Sequence, residues 1–143
     1  MSTAHVEQVR SADGTTIAFE RSGNGAPVVL IGGAFNDRST VSGLAATLAP
    51  HLTAVTYDRR CRGDSGASTD YDPGREIEDL ASVISALGGA VSLFGHSSGA
   101  VLALQGAAAG LPVRKLAVSR FRTSRTGCLK TSRTSGAARL PRC

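Results

Sequence analysis

Residues 91–104 read Val-Ser-Leu-Phe-Gly-His-Ser-Ser-Gly-Ala-Val-Leu-Ala-Leu, an apolar run, a glycine- and serine-rich turn and a second apolar run. This order predicts a strand, a sharp turn and a helix. The turn holds a Gly-x-Ser-x-Gly pattern at residues 95–99, and glycine at both ends lets the two backbones approach closely. Such a turn exposes the Ser97 hydroxyl at the helix N-terminus, whose free N–H groups suit an oxyanion. The stretch predicts a nucleophilic serine; the alternative is a glycine-rich turn with an incidental serine.

The rest of the chain alternates between strand and helix patterns. Strands are predicted at residues 6–9, 15–20, 28–31, 52–57 and 113–118, and helices at residues 39–48 and 75–87. This alternation predicts an α/β fold, with a mostly parallel sheet of about six strands and helices on both faces. Ligands bind such sheets at the carboxyl ends of the strands. The loops at residues 32–38, 58–66 and 95–99 are expected to meet there.

The composition restricts the class of protein. The 143 residues suffice for one domain and one core. The three cysteines, Cys61, Cys128 and Cys143, have no paired spacing, so neither a metal site nor a disulfide framework is indicated, and no cofactor is expected. The sequence has no apolar run of ~18 residues and no basic segment followed by an apolar one at its start. We therefore expect a cytoplasmic protein without a membrane span.

The charge is divided unevenly along the chain. Residues 1–113 carry 7 basic and all 11 acidic residues, whereas residues 114–143 carry 9 basic residues and no acidic one. From residue 119 onward the sequence is rich in Arg, Ser and Thr, lacks a helical or strand period and has few large apolar residues, so it cannot bury a core. We expect a domain at residues 1–118 and an irregular, disordered basic tail at residues 119–143.

The ordered part of the sequence resembles the α/β-hydrolase family over about residues 5–118, roughly the first two-thirds of that fold. The Gly95–Gly99 turn is similar to the family's nucleophile elbow. The loop Asp-Arg-Arg-Cys-Arg-Gly-Asp-Ser-Gly at residues 58–66 is similar to the Asp-x-Arg-Gly-x-Gly-x-Ser loop of many members, with Cys61 where a glycine is common. The resemblance implies a serine hydrolase acting on a small-molecule ester, amide or related acyl bond.

The resemblance also implies roles for individual residues. Ser97 would be the nucleophile, and the N–H of Ser98 would be one oxyanion donor. The second donor would come from the loop after the third strand, at Ala34 or Phe35. Family members usually have His-Gly in that loop, whereas this chain has Gly32-Gly33, so the choice of donor stays open. Cys61 is expected to be an unreactive surface thiol.

A serine nucleophile needs a base, and the base needs an orienting carboxylate. In this fold both follow the serine in the chain, but no Asp, Glu or His follows Ser97. His5 lies in the terminal segment, and His51 is predicted at the amino end of the sheet. An unusual base, His96 or Asp58, is the alternative. The sequence therefore predicts a hydrolase that is inactive as written.

The basic tail allows two interpretations. It is either a functional arm for nucleic acid or an acidic partner, or out-of-frame sequence that replaced the rest of the hydrolase. We favour the second, because no interleaved aromatic residues or helical basic stripe indicates nucleic-acid recognition. The first interpretation makes the chain a non-catalytic binding protein. The second predicts that the last strand is an exposed sheet edge, through which the chain self-associates.

Overall fold

The computed structural model describes residues 5–69 and 71–119. Its strands are β1 (Glu7–Arg10), β2 (Thr16–Ser22), β3 (Pro27–Ile31), β4 (Thr53–Tyr57), β5 (Val91–His96) and β6 (Val113–Ser119). Its α-helices are α1 (Ser42–Leu48), α2 (Pro73–Ala86) and α3 (Ser98–Ala108), and a 3₁₀ turn at Arg38–Val41 precedes α1. The basic tail predicted from residue 119 lies outside the described residues, apart from Ser119, which ends β6.

The six strands form one mixed sheet in the order β1-β2-β4-β3-β5-β6. The pairs β3–β4, β3–β5 and β5–β6 are parallel, and the pairs β1–β2 and β2–β4 are antiparallel. The sheet is therefore mostly parallel, as predicted. The antiparallel strands β1 and β2 form a hairpin at one edge. In the described part of the chain, β6 pairs with β5 alone.

Helices cover both faces of the sheet, as the sequence predicts. On one face, α2 and α3 pack on alternate residues of the central strands, and the shared core includes Val29, Val55, Leu80, Leu93 and Leu102. On the other face, α1 packs on the intervening residues. Alternation of the two sets along each strand explains why the central strands read as continuous apolar runs.

Two helices begin at positions other than those predicted. The first was expected from residue 39, but residues 38–41 form a 3₁₀ turn capped by Asp37, whose side chain accepts from the Ser39 N–H at 2.9 Å. Helix α2 begins two residues earlier than expected, because Asp72 caps it and Pro73 suits the first helical position. Gly88, at φ 80°, follows the end of α2, where the left-handed conformation favours glycine.

Candidate active site

Ser97 lies at the junction of β5 and α3 in a conformation that non-glycine residues rarely adopt. Its backbone has φ 55° and ψ −119°, which costs on the order of 1–3 kcal/mol. The side chain is exposed. A nucleophile elbow has this geometry: an exposed serine with a strained backbone lies between a buried strand and a helix. The structure therefore places Ser97 on the predicted strand-to-helix turn, and its role as the nucleophile stays a prediction.

The two glycines of the pattern are required by the packing of this turn. A Cβ on Gly95 would lie 2.4 Å from the Gly99 carbonyl oxygen, and a Cβ on Gly99 would lie 2.3 Å from the Ile31 carbonyl oxygen. Both contacts are with backbone, which cannot move aside without disturbing β3 or α3. The elbow therefore packs directly against the end of β3.

The predicted oxyanion donors lie on the two segments that meet at this point. Ser98 is the first residue of α3, and helix geometry leaves its N–H without an intrahelical acceptor. The loop after β3 turns at Gly33, whose carbonyl accepts from the Asn36 N–H at 3.3 Å. A Cβ on Gly33 would lie 3.6 Å from the Ser97 Cβ, so this loop passes beside the nucleophile. Within it, Ala34 is half-buried and Phe35 is fully exposed; their donor roles stay predictions.

A buried arginine that the sequence analysis did not single out joins these two segments. The Arg59 Nη1 donates to the Ser98 Oγ at 2.9 Å and to the Gly32 carbonyl at 3.3 Å. Its Nε and Nη2 donate to the two carboxylate oxygens of Glu76 at 2.8 and 2.6 Å. Burial opposes the charge of Arg59, but the hydrogen bonds and charge of Glu76 outweigh it and raise the arginine pKa above its ordinary value.

The neighbouring Arg60 makes a similar pair without touching the elbow. Its Nε and Nη2 each donate to a carboxylate oxygen of Asp79 at 2.7 Å, and its Nη1 donates to Asp13 at 3.0 Å. Glu76 and Asp79 lie three residues apart on α2, so both face the sheet. Acidic residues at the start of a helix, read from the sequence alone, indicate only compensation of the helix dipole. A signal was present, because two consecutive arginines after a buried strand and two carboxylates at helical spacing match each other.

Of the two alternative bases, Asp58 is held in contacts with neighbouring loops, and the role of His96 stays a prediction. Asp58 is fully buried, and its carboxylate accepts from the backbone N–H groups of Arg38 at 2.7 Å and of Asp64 at 2.9 Å, and from the Arg38 guanidinium. It therefore holds loops together. His51 is exposed and precedes β4 at the amino end of the sheet, as predicted. His96 is the half-buried last residue of β5.

Cys61 is exposed and carries a free thiol. Its φ of 65° lies in the left-handed region, which explains why similar loops favour glycine here. No group of three or more His, Cys, Asp or Glu residues suited to a metal occurs within residues 5–69 and 71–119. In the same ranges no helix has the length and apolar character needed to cross a membrane.

The profile of the Alpha/beta hydrolase family matches residues 12–140. The chain therefore belongs to the α/β-hydrolase family. No curated protein matches it. An α/β hydrolase from Sphaerobacter thermophilus is 59% identical with a TM-score of 0.77, and the match covers 78% of this chain and 44% of that hydrolase.

Two further solved structures differ in their named activities. The esterase RhEst1 from Rhodococcus is 27% identical, with a TM-score of 0.74 and coverage of 79% of this chain and 44% of the esterase. The Bottromycin epimerase is 32% identical, with a TM-score of 0.73 and coverage of 79% and 47%. The chain thus spans less than half the length of these three relatives.

Proposed function

We propose that this chain carries the nucleophile half of a serine hydrolase that cleaves small-molecule esters or related acyl bonds. The observation that carries the proposal is the strained, exposed Ser97 at the N-terminus of α3. The similarity to an esterase supports ester substrates. The similarity to an epimerase makes a direct test of serine chemistry necessary.

In the proposed reaction, the Ser97 Oγ attacks the acyl carbon and its proton passes to a base. The carbonyl oxygen becomes an oxyanion in front of α3, where the N–H of Ser98 and one from Ala34 or Phe35 would donate to it. The alcohol then leaves with a proton, and water hydrolyses the acyl-serine. The predicted donors are backbone groups, so this half of the reaction needs no metal or cofactor.

The base is the component that the chain does not supply after Ser97. General base catalysis contributes about 10²–10⁴ to a rate, and no Asp, Glu or His lies in residues 98–143. We therefore propose that the chain alone hydrolyses esters at close to the background rate. A small base added to the solution is expected to replace part of the missing function.

The test is p-nitrophenyl acetate hydrolysis by this chain and by Ser97→Ala, each with and without imidazole. Imidazole hydrolyses the ester unaided, so the informative quantity is the difference between the two proteins. We expect almost no difference without imidazole and a clear, saturable difference with it. Equal rates for both proteins at every imidazole concentration would contradict the role of Ser97, and robust activity without imidazole would contradict the absence of a base.

A further inference from the structure

We infer that Arg59 is a positioning residue that holds the nucleophile elbow and the loop after β3 in one arrangement, an inference that rests on the proposed function of Ser97. Ser98 and the loop that begins at Gly32 bear the two predicted oxyanion donors. One guanidinium nitrogen contacts both segments. The distance between the donors therefore depends on a group that carries neither of them.

The location of these contacts explains how the arginine acts. Gly32 is buried, and a Cβ on Gly99 would lie 2.6 Å from the Gly32 carbonyl oxygen. That oxygen is therefore enclosed by the elbow and receives its hydrogen bond from Arg59. Loss of this bond would leave a buried acceptor unsatisfied, and the loop would relieve it by moving away from Ser97.

The Arg59 guanidinium is held in place by Glu76, which accepts hydrogen bonds from its Nε and Nη2. The Arg59 and Glu76 side chains are 7% and 5% exposed, and a bidentate pair in that setting leaves the arginine little freedom. The Tyr71 hydroxyl donates to the second Glu76 oxygen at 3.0 Å. Helix α2 thereby fixes the position of the Arg59 Nη1. That nitrogen in turn fixes the distance between Ser98 and the loop that begins at Gly32.

Arg60 provides a matched control within the same loop. It has the same bidentate arrangement with a carboxylate of α2 and is buried as deeply, but its remaining nitrogen contacts Asp13 in the turn between β1 and β2. A substitution there removes a comparable ion pair and leaves the elbow contacts in place. Arg59→Lys therefore removes the contacts with Gly32 and Ser98, whereas Arg60→Lys leaves them in place.

The first readout is amide hydrogen exchange of the whole chain, followed in peptides that span residues 32–36 and 97–100. We expect Arg59→Lys to increase exchange in both segments together, by about tenfold or more relative to Arg60→Lys. Ser98→Ala, which removes one hydrogen bond and retains the Ser98 N–H, is expected to do the same to a smaller extent. Ser98→Thr, which retains a hydroxyl, is expected to restore protection.

Equal exchange in the Arg59→Lys and Arg60→Lys proteins would overturn the inference, as would an effect confined to one of the two segments. If Arg59→Lys fails to fold, the Ser98→Ala and Ser98→Thr comparison decides the matter alone. Both hydrogen-exchange comparisons are independent of any catalytic activity.

The second readout is the Ser97-dependent, imidazole-assisted cleavage of p-nitrophenyl acetate. A displaced oxyanion donor lowers the maximal rate more than it raises KM, because the donor acts on the transition state. We expect a fall of about tenfold for Arg59→Lys, a smaller fall for Ser98→Ala, and little change for Arg60→Lys. A wild-type chain without Ser97-dependent cleavage would refute the proposed function, and hydrogen exchange would still decide the role of Arg59.

Discussion

At the scale of single residues, the elbow is determined by the close approach of two backbones. Gly99→Ala is expected to destabilise the protein by about 2–3 kcal/mol, because its Cβ would lie 2.3 Å from the Ile31 carbonyl oxygen. Gly43 lies in α1 with open space around it, so Gly43→Ala is expected to be neutral or to stabilise by up to ~1 kcal/mol. Urea unfolding of both variants checks this contrast, and an equal effect of the two would contradict it.

At Cys61, removal of a Cβ rather than its addition is expected to stabilise the protein. Its left-handed backbone conformation costs about 1–2 kcal/mol for a residue with a Cβ, and glycine removes that cost while loosening the unfolded chain. Cys61→Gly is therefore expected to raise the melting temperature slightly. Cys61→Ser, which keeps the Cβ, is the control and is expected to leave the melting temperature unchanged. A melting temperature lowered by glycine but not by serine would contradict the strain argument.

Residues whose role depends on neighbours in sequence were predictable, and residues whose role depends on distant partners were not. Gly95, Ser97 and Gly99 lie within five residues of one another, so their spacing predicts the turn, although the Gly99 backbone also packs against Ile31 on β3. Arg59 contacts Glu76 17 residues away and Ser98 39 residues away. The paired arginines and the spaced carboxylates are a signal for the contact with Glu76, but no pattern in the sequence reports the contact with Ser98. The sequence predicts only that the loops at residues 58–66 and 95–99 meet at one end of the sheet.

At the scale of elements, helix α2 has a second function besides covering the sheet. The spacing of Ile77, Leu80, Ile84 and Leu87 indicates one apolar helix face, and all four residues lie in or against the core. Its buried carboxylates instead tie the loop after β4 to the helix. The helix therefore links the core to the candidate site through Glu76.

This link predicts a specific dependence of stability on pH. Burial raises the pKa of Glu76, but the hydrogen bonds and charge of Arg59 outweigh it, so the pKa lies below the ordinary value of 4.5. The unfolded chain then binds the proton more readily, and the stabilisation is complete above pH 4.5 and is lost as the pH falls through the folded-state pKa. Glu76→Gln is expected to cost about 3–5 kcal/mol at neutral pH.

The difference in free energy of unfolding between the wild type and Glu76→Gln is expected to shrink on acidification, as measured by urea unfolding from pH 7 downward. Glu78→Gln is the control on the same helix, because Glu78 pairs with Arg75 at the surface. That variant is expected to change stability by less than ~1 kcal/mol. A constant difference at every pH for Glu76→Gln would contradict the assignment.

At the scale of the whole molecule, the chain is a partial α/β-hydrolase fold, and β6 is an outer strand of the sheet within residues 5–69 and 71–119. The outer strand β6 leaves Leu116 and Val118 37% and 49% exposed, and exposed edges favour pairing between chains. We expect oligomers in analytical ultracentrifugation. Val118→Lys is expected to shift the distribution toward monomer, because a charge at the edge opposes strand pairing.

Val101→Lys separates pairing at the edge from general apolar contact. Val101 is 55% exposed but lies on helix α3 and has no place in the strand pairing of the sheet. The Val101→Lys substitution is therefore expected to leave the oligomers intact. If the two lysine variants dissociate the oligomers equally, the sheet edge is not the contact.

We propose above that Ser97 is a competent nucleophile and that the residues after it supply no base. The measurement is peptide mapping by mass spectrometry after treatment with a fluorophosphonate in the presence of imidazole. The Ser97 Oγ would form a bond to phosphorus, fluoride would leave, and imidazole would take the proton. We expect one adduct, on Ser97, that depends on imidazole and is absent from Ser97→Ala. No adduct, or modification spread over several serines, would contradict the claim.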